Sequence, residues 1–340
     1  MRPLLAPLAA VYGCASSARA AAYQRGWIKA ARLSRPVISV GNLTAGGTGK
    51  TPLVALIARM LLHRGLKPVI LTRGYGRAPG PALIALDPAT ERSPDPRQAG
   101  DEPALLAADL PEVPIVISAS RIQTGRYAEE HYQPDAHLLD DGFQHQQLAR
   151  RLDIVALDAT QPLSDRALIP AGRQRERCAA LKRAHIIVLT RVEQVDLTAP
   201  IERQARAINP LAPIFHSRTE LAGWLSVADG RRLPPGFLAG RRGYAFCGIG
   251  NPDAFFHNLG RWGITLAGKK AFHDHHVYRD SEIARLVIAA RETKATLVTT
   301  AKDVMNLPAD WRHTLPAFAA LIEAEILEAA AFEKSLFDAL

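Results

Sequence analysis

The stretch VGNLTAGGTGKTPLV, residues 40–54, decides the fold. Against the phosphate-loop pattern G-x-x-x-x-G-K-[ST] it aligns as Thr44, Ala45, Gly46, Gly47, Thr48, Gly49, Lys50 and Thr51, with Thr44 where the first glycine is expected. A β-rich run precedes the loop and a helical pattern starting at Pro52 follows it, the order such a loop requires. Glycines at 46, 47 and 49 let backbone N–H groups turn inward around phosphate oxygens. Lys50 is placed to bridge the outer phosphates of ATP, and the Thr51 hydroxyl to hold Mg²⁺. The helix start adds the positive end of its dipole.

Working outward, short apolar runs alternate with helical patterns. Strands are predicted at 36–40, 68–72, 82–86, 114–118, 136–139, 152–157 and 185–190. They are apolar nearly throughout, as strands covered on both faces are. Within 51–64, Leu53, Leu56, Ile57, Met60 and Leu61 recur at steps of three and four and mark one helix face. The alternation implies a parallel sheet with helices on both sides. Residues 87–101 read as a long loop rich in Pro, Arg and Asp. Between 210 and 235 short strand-like pieces suggest a connector. A second, smaller α/β unit follows, with strands at 244–247, near 264–266 and at 296–300, and helices from Pro252 and over 281–291. A last strand at 317–322 is placed to return to the connector. The expected division is an N-terminal segment (1–35), a nucleotide-binding kinase domain (36–212), a connector (213–235), a smaller α/β domain (236–312) and a return strand with a C-terminal helix (313–340).

The 340 residues are 48% hydrophobic and 22% charged, a composition that packs a core. A formal net charge of +9 favours anionic partners such as an acidic membrane surface or a phosphorylated substrate. Aromatic residues are 6% and no basic stripe is interleaved with them, so nucleic acid is not an expected partner. Cys14, Cys178 and Cys247 lie far apart with no C-x-x-C pair, which argues against a disulfide framework or a cysteine zinc site. The N-terminus has no charge from Pro3 to Ala18 and then carries Arg19, Arg25, Lys29, Arg32 and Arg35. The uncharged run falls short of the ~20 residues of a spanning helix. It fits an interfacial helix or a buried first helix, and less well a secretory signal.

Further motifs carry chemistry. In AHLLDDGFQH, Asp140 and Asp141 end an apolar strand, where a carboxylate meets Mg²⁺ directly or through water. In GDEPALLAADL, Asp101 or Glu102 either caps a helix that has Pro103 in its first turn or faces the phosphates as the base a kinase needs. FHDHHVY puts His273, Asp274, His275 and His276 in one loop, as solvated histidines or as a His–Asp proton relay. Arg73 in LTRGYGR and Arg121 in SASR follow strands, where open parallel sheets bind ligands, and are candidates to hold an anionic substrate. The stretch LTRVE occupies the place of an N-K-x-D guanine reader without matching it, so GTP is disfavoured.

A regulatory NTPase and a partition-type ATPase compete with a kinase, but the first lacks a base-reading motif and the second wants a lysine where Ala45 stands. The combined set SVGNLTAGGTGKTP, LTRGYGR, GDEP, LLDDGFQH, IPAGRQRE, FCGIGNP, FHDHHVY and TTAKD resembles the tetraacyldisaccharide 4′-kinases, the lipid A 4′-kinases of Gram-negative bacteria. The resemblance implies transfer of the ATP γ-phosphoryl to the 4′-hydroxyl of an acylated glucosamine disaccharide 1-phosphate lipid, forming lipid IVA. It implies a P-loop domain and a smaller α/β domain joined by a two-stranded connector. It also implies an N-terminal helix on the cytoplasmic face of the inner membrane, a peripheral (monotopic) attachment. By position it makes Asp101 the base assisted by His275, puts Asp140, Asp141 and Glu102 with Thr51 around the metal, and brings Arg121 to the lipid. The resemblance also implies that Thr44 is no departure, because the loop of that family commonly lacks the first glycine.

Overall fold

Strands that are apolar at successive positions end up covered on both faces. Val37–Gly41, Pro68–Thr72, Ala136–Asp140, Leu152–Asp158 and Ile186–Thr190 are buried at every position. The computed structural model describes residues 2–89, 95–161, 163, 167–196 and 198–340, with side chains from residue 5 onward. Its elements begin with α1 (Arg2–Gln24), β1 (Val37–Gly41), α2 (Lys50–His63), β2 (Pro68–Thr72), β3 (Leu83–Leu86), α3 (Pro96–Ala99), α4 (Asp101–Asp109) and β4 (Ile115–Ser118). They continue with α5 (Arg121–Tyr132), β5 (Ala136–Asp140), β6 (Leu152–Asp158), β7 (Ile186–Thr190), α6 (Ala199–Ile208), β8 (Ile214–Ser226) and β9 (Arg232–Leu233). Then come β10 (Arg242–Cys247), α7 (Pro252–Arg261), β11 (Thr265–Ala271), α8 (Asp280–Glu292), β12 (Thr296–Thr300), α9 (Ala301–Met305), β13 (Ala317–Ile326) and α10 (Ala329–Phe337).

Among the described residues one sheet runs β11-β10-β12-β13-β8-β7-β6-β1-β5-β2-β4-β3, with β9 hung on β8. From β7 to β4 every pairing is parallel, and β3 closes that edge antiparallel to β4. The register sets Val40 opposite Asp140, so the end of β1 and the acidic end of β5 reach the same rim of the sheet. α2 buries Leu53, Ile57 and Leu61 fully, each worth roughly 1.5–3 kcal/mol, while Leu56 and Met60 are half-covered at the flank of that core. Phe332 and Leu336 of α10 pack into the same core, so the C-terminal helix completes the larger half of the molecule.

β8 is the main departure from the sequence reading. In place of short pieces it is one strand from Ile214 to Ser226. Its first residues pair parallel to β7, and most of its length pairs antiparallel to β13. Thr219 and Glu220 break the apolar pattern because that part of the ribbon is only partly covered, Gly223 because a Cβ there would lie 2.6 Å from Leu233 O of β9, and a register shift interrupts the ladder beside Leu321. The expected return strand is therefore present and longer, ending at Ile326. The expected loop over 87–101 also holds more structure, because the Asp95 side chain accepts from Arg97 N at 2.9 Å and starts α3. Part of it, 90–94, lies outside the described residues. Among the described residues no helix is long and apolar enough to cross a membrane.

Candidate active site

The glycine loop is shaped from behind. Thr190 Oγ donates to the carbonyl of Thr48 at 2.9 Å, Arg191 Nη2 to that of Gly47 at 2.7 Å, and Arg173 Nε to that of Ala45 at 3.0 Å. With these carbonyls drawn outward, the amides beyond Ala45 are left for phosphate oxygens, Ala45 N itself donating to Arg173 O at 2.7 Å. Thr44 forms an antiparallel bridge with Gln174 and has an ordinary negative φ, so a glycine at that position has no conformational work to do. Gly46 and Gly49 adopt φ of 105° and 79°, which only glycine takes without strain. The loop is also touched from the smaller half. A Cβ on Gly250 would lie 2.3 Å from Gly47 N, and Asn251 Nδ2 donates to Asp158 Oδ2 at 3.3 Å.

The carboxylates Asp140 and Asp141 sit beside Lys50. Asp141, at φ 54°, is held by Arg175 and lies 3.5 Å from Lys50 Nζ. Burial pushes its carboxyl up, but Lys50 and Arg175 outweigh this and hold it below the usual range. Asp140 is 2% exposed, and its Oδ1 is buried with no hydrogen-bond partner. Burial, then the charges of Glu102 and Asp141, raise it to about 7. A buried carboxylate oxygen without a partner, near Thr51 and Glu102, fits a divalent cation. Among the described residues no His, Cys, Asp and Glu cluster forms a complete cage.

Asp101 and His275, far apart in the chain, meet. Asp101 opens α4 and is 5% exposed. Its Oδ1 accepts from Glu102 N at 2.8 Å, and its Oδ2 accepts from Asn306 Nδ2 at 3.1 Å and contacts His275 Nδ1 at 2.8 Å. Burial raises the Asp101 carboxyl, but the His275 bond, Lys302 and Asn306 more than cancel this and lower it. The Asp101 bond raises His275, against burial and the Lys302 charge. His275 has a left-handed backbone, φ 58°, fixed by its N–H to Gly248 O at 3.1 Å. The imidazole lines the cleft between the two halves together with Lys50, Glu102, Asp140 and Lys302. Asp101 lies behind it.

The two candidate arginines part company. Arg73 lines the cleft near α1. Arg121 is 3% exposed and turned inward, donating to Ser118 O at 2.8 Å and to Asp140 O at 3.4 Å. Burial lowers it to about 10, and although mostly covered it still lines the cleft with Arg73 and His145. Between them His145 is pushed down to about 4, by burial and then by Arg121, Arg150, Arg19 and Arg73. Burial does most to keep the ring neutral, and the arginine charges that add to it mark a hollow suited to an anion.

Sequence reasoning gave no role to Arg173, Arg175, Arg191, Asn306 or Lys302. The motifs IPAGRQRE, LTRVE and TTAKD contained all but Asn306, and for Arg191 and Lys302 a basic residue just past a strand end was the available signal. The other histidines of that loop, His273 and His276, contact each other at 2.8 Å, and His276 reaches Glu282 at 3.0 Å, away from Asp101.

The profile of the tetraacyldisaccharide-1-P 4′-kinase family matches residues 1–340. The tetraacyldisaccharide 4′-kinase of Geobacter metallireducens is 40% identical over 334 residues, covering 98% of this chain and 96% of the relative. That of Geobacter sulfurreducens is 39% identical over 334 residues, covering 98% and 92%. The crystal structure of the "apo" form of LpxK from Aquifex aeolicus in complex with ATP is similar at a TM-score of 0.79, with 31% identity and 99% of each chain covered.

Proposed function

The chain belongs to the tetraacyldisaccharide-1-P 4′-kinase family, and from that premise we propose how its residues divide the work. It is an ATP- and Mg²⁺-dependent phosphotransferase that moves the γ-phosphoryl of ATP to the 4′-hydroxyl of tetraacyldisaccharide 1-phosphate, forming lipid IVA in lipid A biosynthesis. Residues 44–51 cradle the ATP phosphates, with Lys50 on the outer ones. Thr51 and Asp140 hold the cation, and Glu102 and Asp141 complete the surrounding shell. Bound Mg²⁺ supplies neutralisation of the charge that develops on the phosphoryl oxygens.

The contact between Asp101 and His275 carries the mechanistic reading. The pair takes the proton of the 4′-hydroxyl. Burial divides its parts: Asp101, covered and hydrogen-bonded three times, is the fixed anion, and His275, open to the cleft, meets the hydroxyl. We assign the base role to the Asp101–His275 pair, with His275 as the acceptor of the proton. Because the two residues come from opposite halves, the base is complete only when the halves meet, which limits ATP hydrolysis without acceptor.

We keep the division into 1–35, 36–212, 213–235, 236–312 and 313–340, with β8 and β13 as the connecting ribbon. The hollow at Arg73, Arg121 and His145 suits the phosphorylated headgroup. Leu8, Val11 and Tyr12 on α1 and the neighbouring Trp27 and Ile28 are exposed beside Arg25 and Lys29, which supports a peripheral seat on an anionic bilayer. In this reading the bilayer face is the cytoplasmic side of the inner membrane, and nucleic acid is not a partner.

The test is transfer of labelled phosphate from ATP to the disaccharide 1-phosphate lipid in detergent. Asp101→Asn and His275→Gln are each expected to lower kcat by roughly 10²–10⁴-fold with KM for ATP changed little. A matching rise in KM, with kcat kept, would remove the pair from the chemistry.

A further inference from the structure

Lys302 stands in the first turn of α9, directly after β12, with a side chain 16% exposed. Its Nζ lies 3.3 Å from His275 Nε2, 3.2 Å from Glu102 Oε1, 3.4 Å from Asp274 Oδ1 and 3.9 Å from Asp101 Oδ2. Three carboxylates within 4 Å of Nζ fit an ammonium. An ammonium has donors and no acceptor. With Lys302 an ammonium, the 3.3 Å contact suits a lone pair on His275 Nε2, although Asp274 Oδ1 also lies 3.9 Å from it, and this would leave the ring proton on Nδ1, facing Asp101 Oδ2 at 2.8 Å.

We propose that Lys302 is a positioning residue for phosphoryl transfer, pinning His275 in the Nδ1–H tautomer so that the Nε2 lone pair stays available for the hydroxyl proton. The inference rests on the Asp101–His275 reading and deepens it. Asp101 alone fixes only one ring nitrogen and favours the doubly protonated ring, which is no base. Lys302 opposes that second proton from the other side of the ring. During transfer the 4′-hydroxyl proton passes to His275 Nε2 as the oxygen bonds to the γ-phosphorus and the bond to ADP breaks. The imidazolium so formed is balanced by Asp101. Lys302 must yield its place at Nε2 to the hydroxyl, and Glu102 and Asp274 offer it alternative partners within reach.

The experiment uses the full-length protein in detergent. Long-range ¹⁵N–¹H spectra of the histidine rings are recorded without nucleotide, with His275 identified by the signal lost in His275→Gln. The wild type is expected to show the Nδ1–H pattern, and Lys302→Met to lose it. In the kinase assay Lys302→Met is expected to lower kcat about 100-fold, the low end of what a positioned base contributes, with KM for ATP and lipid within roughly threefold. A retained Nδ1–H pattern or a wild-type kcat in Lys302→Met overturns the proposal. Should Lys302→Met not fold by circular dichroism, the wild-type spectrum decides, since a proton on Nε2 overturns it. Wild-type kcat in His275→Gln would instead refute the pair itself, so the two failures are distinguishable.

Discussion

Replacing Gly250 by alanine tests whether the smaller half shapes the phosphate loop. The added methyl would lie 2.3 Å from Gly47 N and 3.0 Å from Gly46 Cα, where ordinary contact begins near 3.4 Å. Both obstacles are backbone, so no side chain can swing aside, and one loop must retreat by about 1 Å. The Gly250 loop is itself tied down, by Arg173 Nη2 to Gly250 O at 3.2 Å and by Asn251 to Asp158. If the phosphate loop yields, its amides leave their phosphate positions, and a 1 Å misplacement costs up to about 100-fold in rate. If neither yields, overpacking costs roughly 1–3 kcal/mol of stability. Gly250→Ala is expected to weaken ATP binding in a fluorescence titration and to lower kcat 10- to 100-fold, by the same arithmetic. Gly260→Ala is the control, because a Cβ there meets nothing within 4 Å and helix α7 tolerates or gains from alanine. A Gly250→Ala protein with wild-type ATP affinity and turnover would refute the coupling.

Three further outcomes follow from the geometry. Asp140→Asn is expected to raise the Mg²⁺ concentration for half-maximal activity by roughly 10–100-fold or more, read in a Mg²⁺ titration, and an unchanged requirement would remove Asp140 from the metal. His216 bonds Glu202 at 2.9 Å and Glu328 at 2.7 Å, and these carboxylates outweigh burial and raise it above its ordinary 6.5. Its stabilising contribution is present in full below 6.5 and lost as pH rises through the raised folded value, so the Tm gap between wild type and His216→Gln should close from pH 6 to pH 8.5. A gap that widens with pH contradicts the sign. Val11→Asp, at a residue 68% exposed, should reduce sedimentation with anionic vesicles while leaving Tm within a degree or two, and unchanged binding would take α1 off the bilayer.

The parts legible in the sequence are those whose chemistry is local. The phosphate loop lies in one stretch, and the uninterrupted apolar runs of β1, β2, β5, β6 and β7 announce strands buried on both faces. Helix α5 was implied only by the strand–helix alternation, because its covered face is Arg121, Thr124, Gly125 and Ala128 and its packing leaves no hydrophobic period. Gly125 is there because Leu33 presses on it, leaving 2.2 Å where a Cβ would stand. β8 escaped because one strand passes through two environments. At the site, Asp101 and His275 were each visible as chemistry, but no sequence pattern could say which faces the cleft. Lys302 was invisible as a partner because its contacts join residues that only the folded sheet brings together.

The chain leaves the larger half through β8 and re-enters it through β13 and α10, whose Phe332 and Leu336 fill the core beneath α2. The smaller half is thus a long insertion whose two ends are zipped together, and the parent core is missing a piece until everything inserted has been made. The nucleotide-binding half, although translated first, lacks Phe332 and Leu336 in its core until α10 has been made.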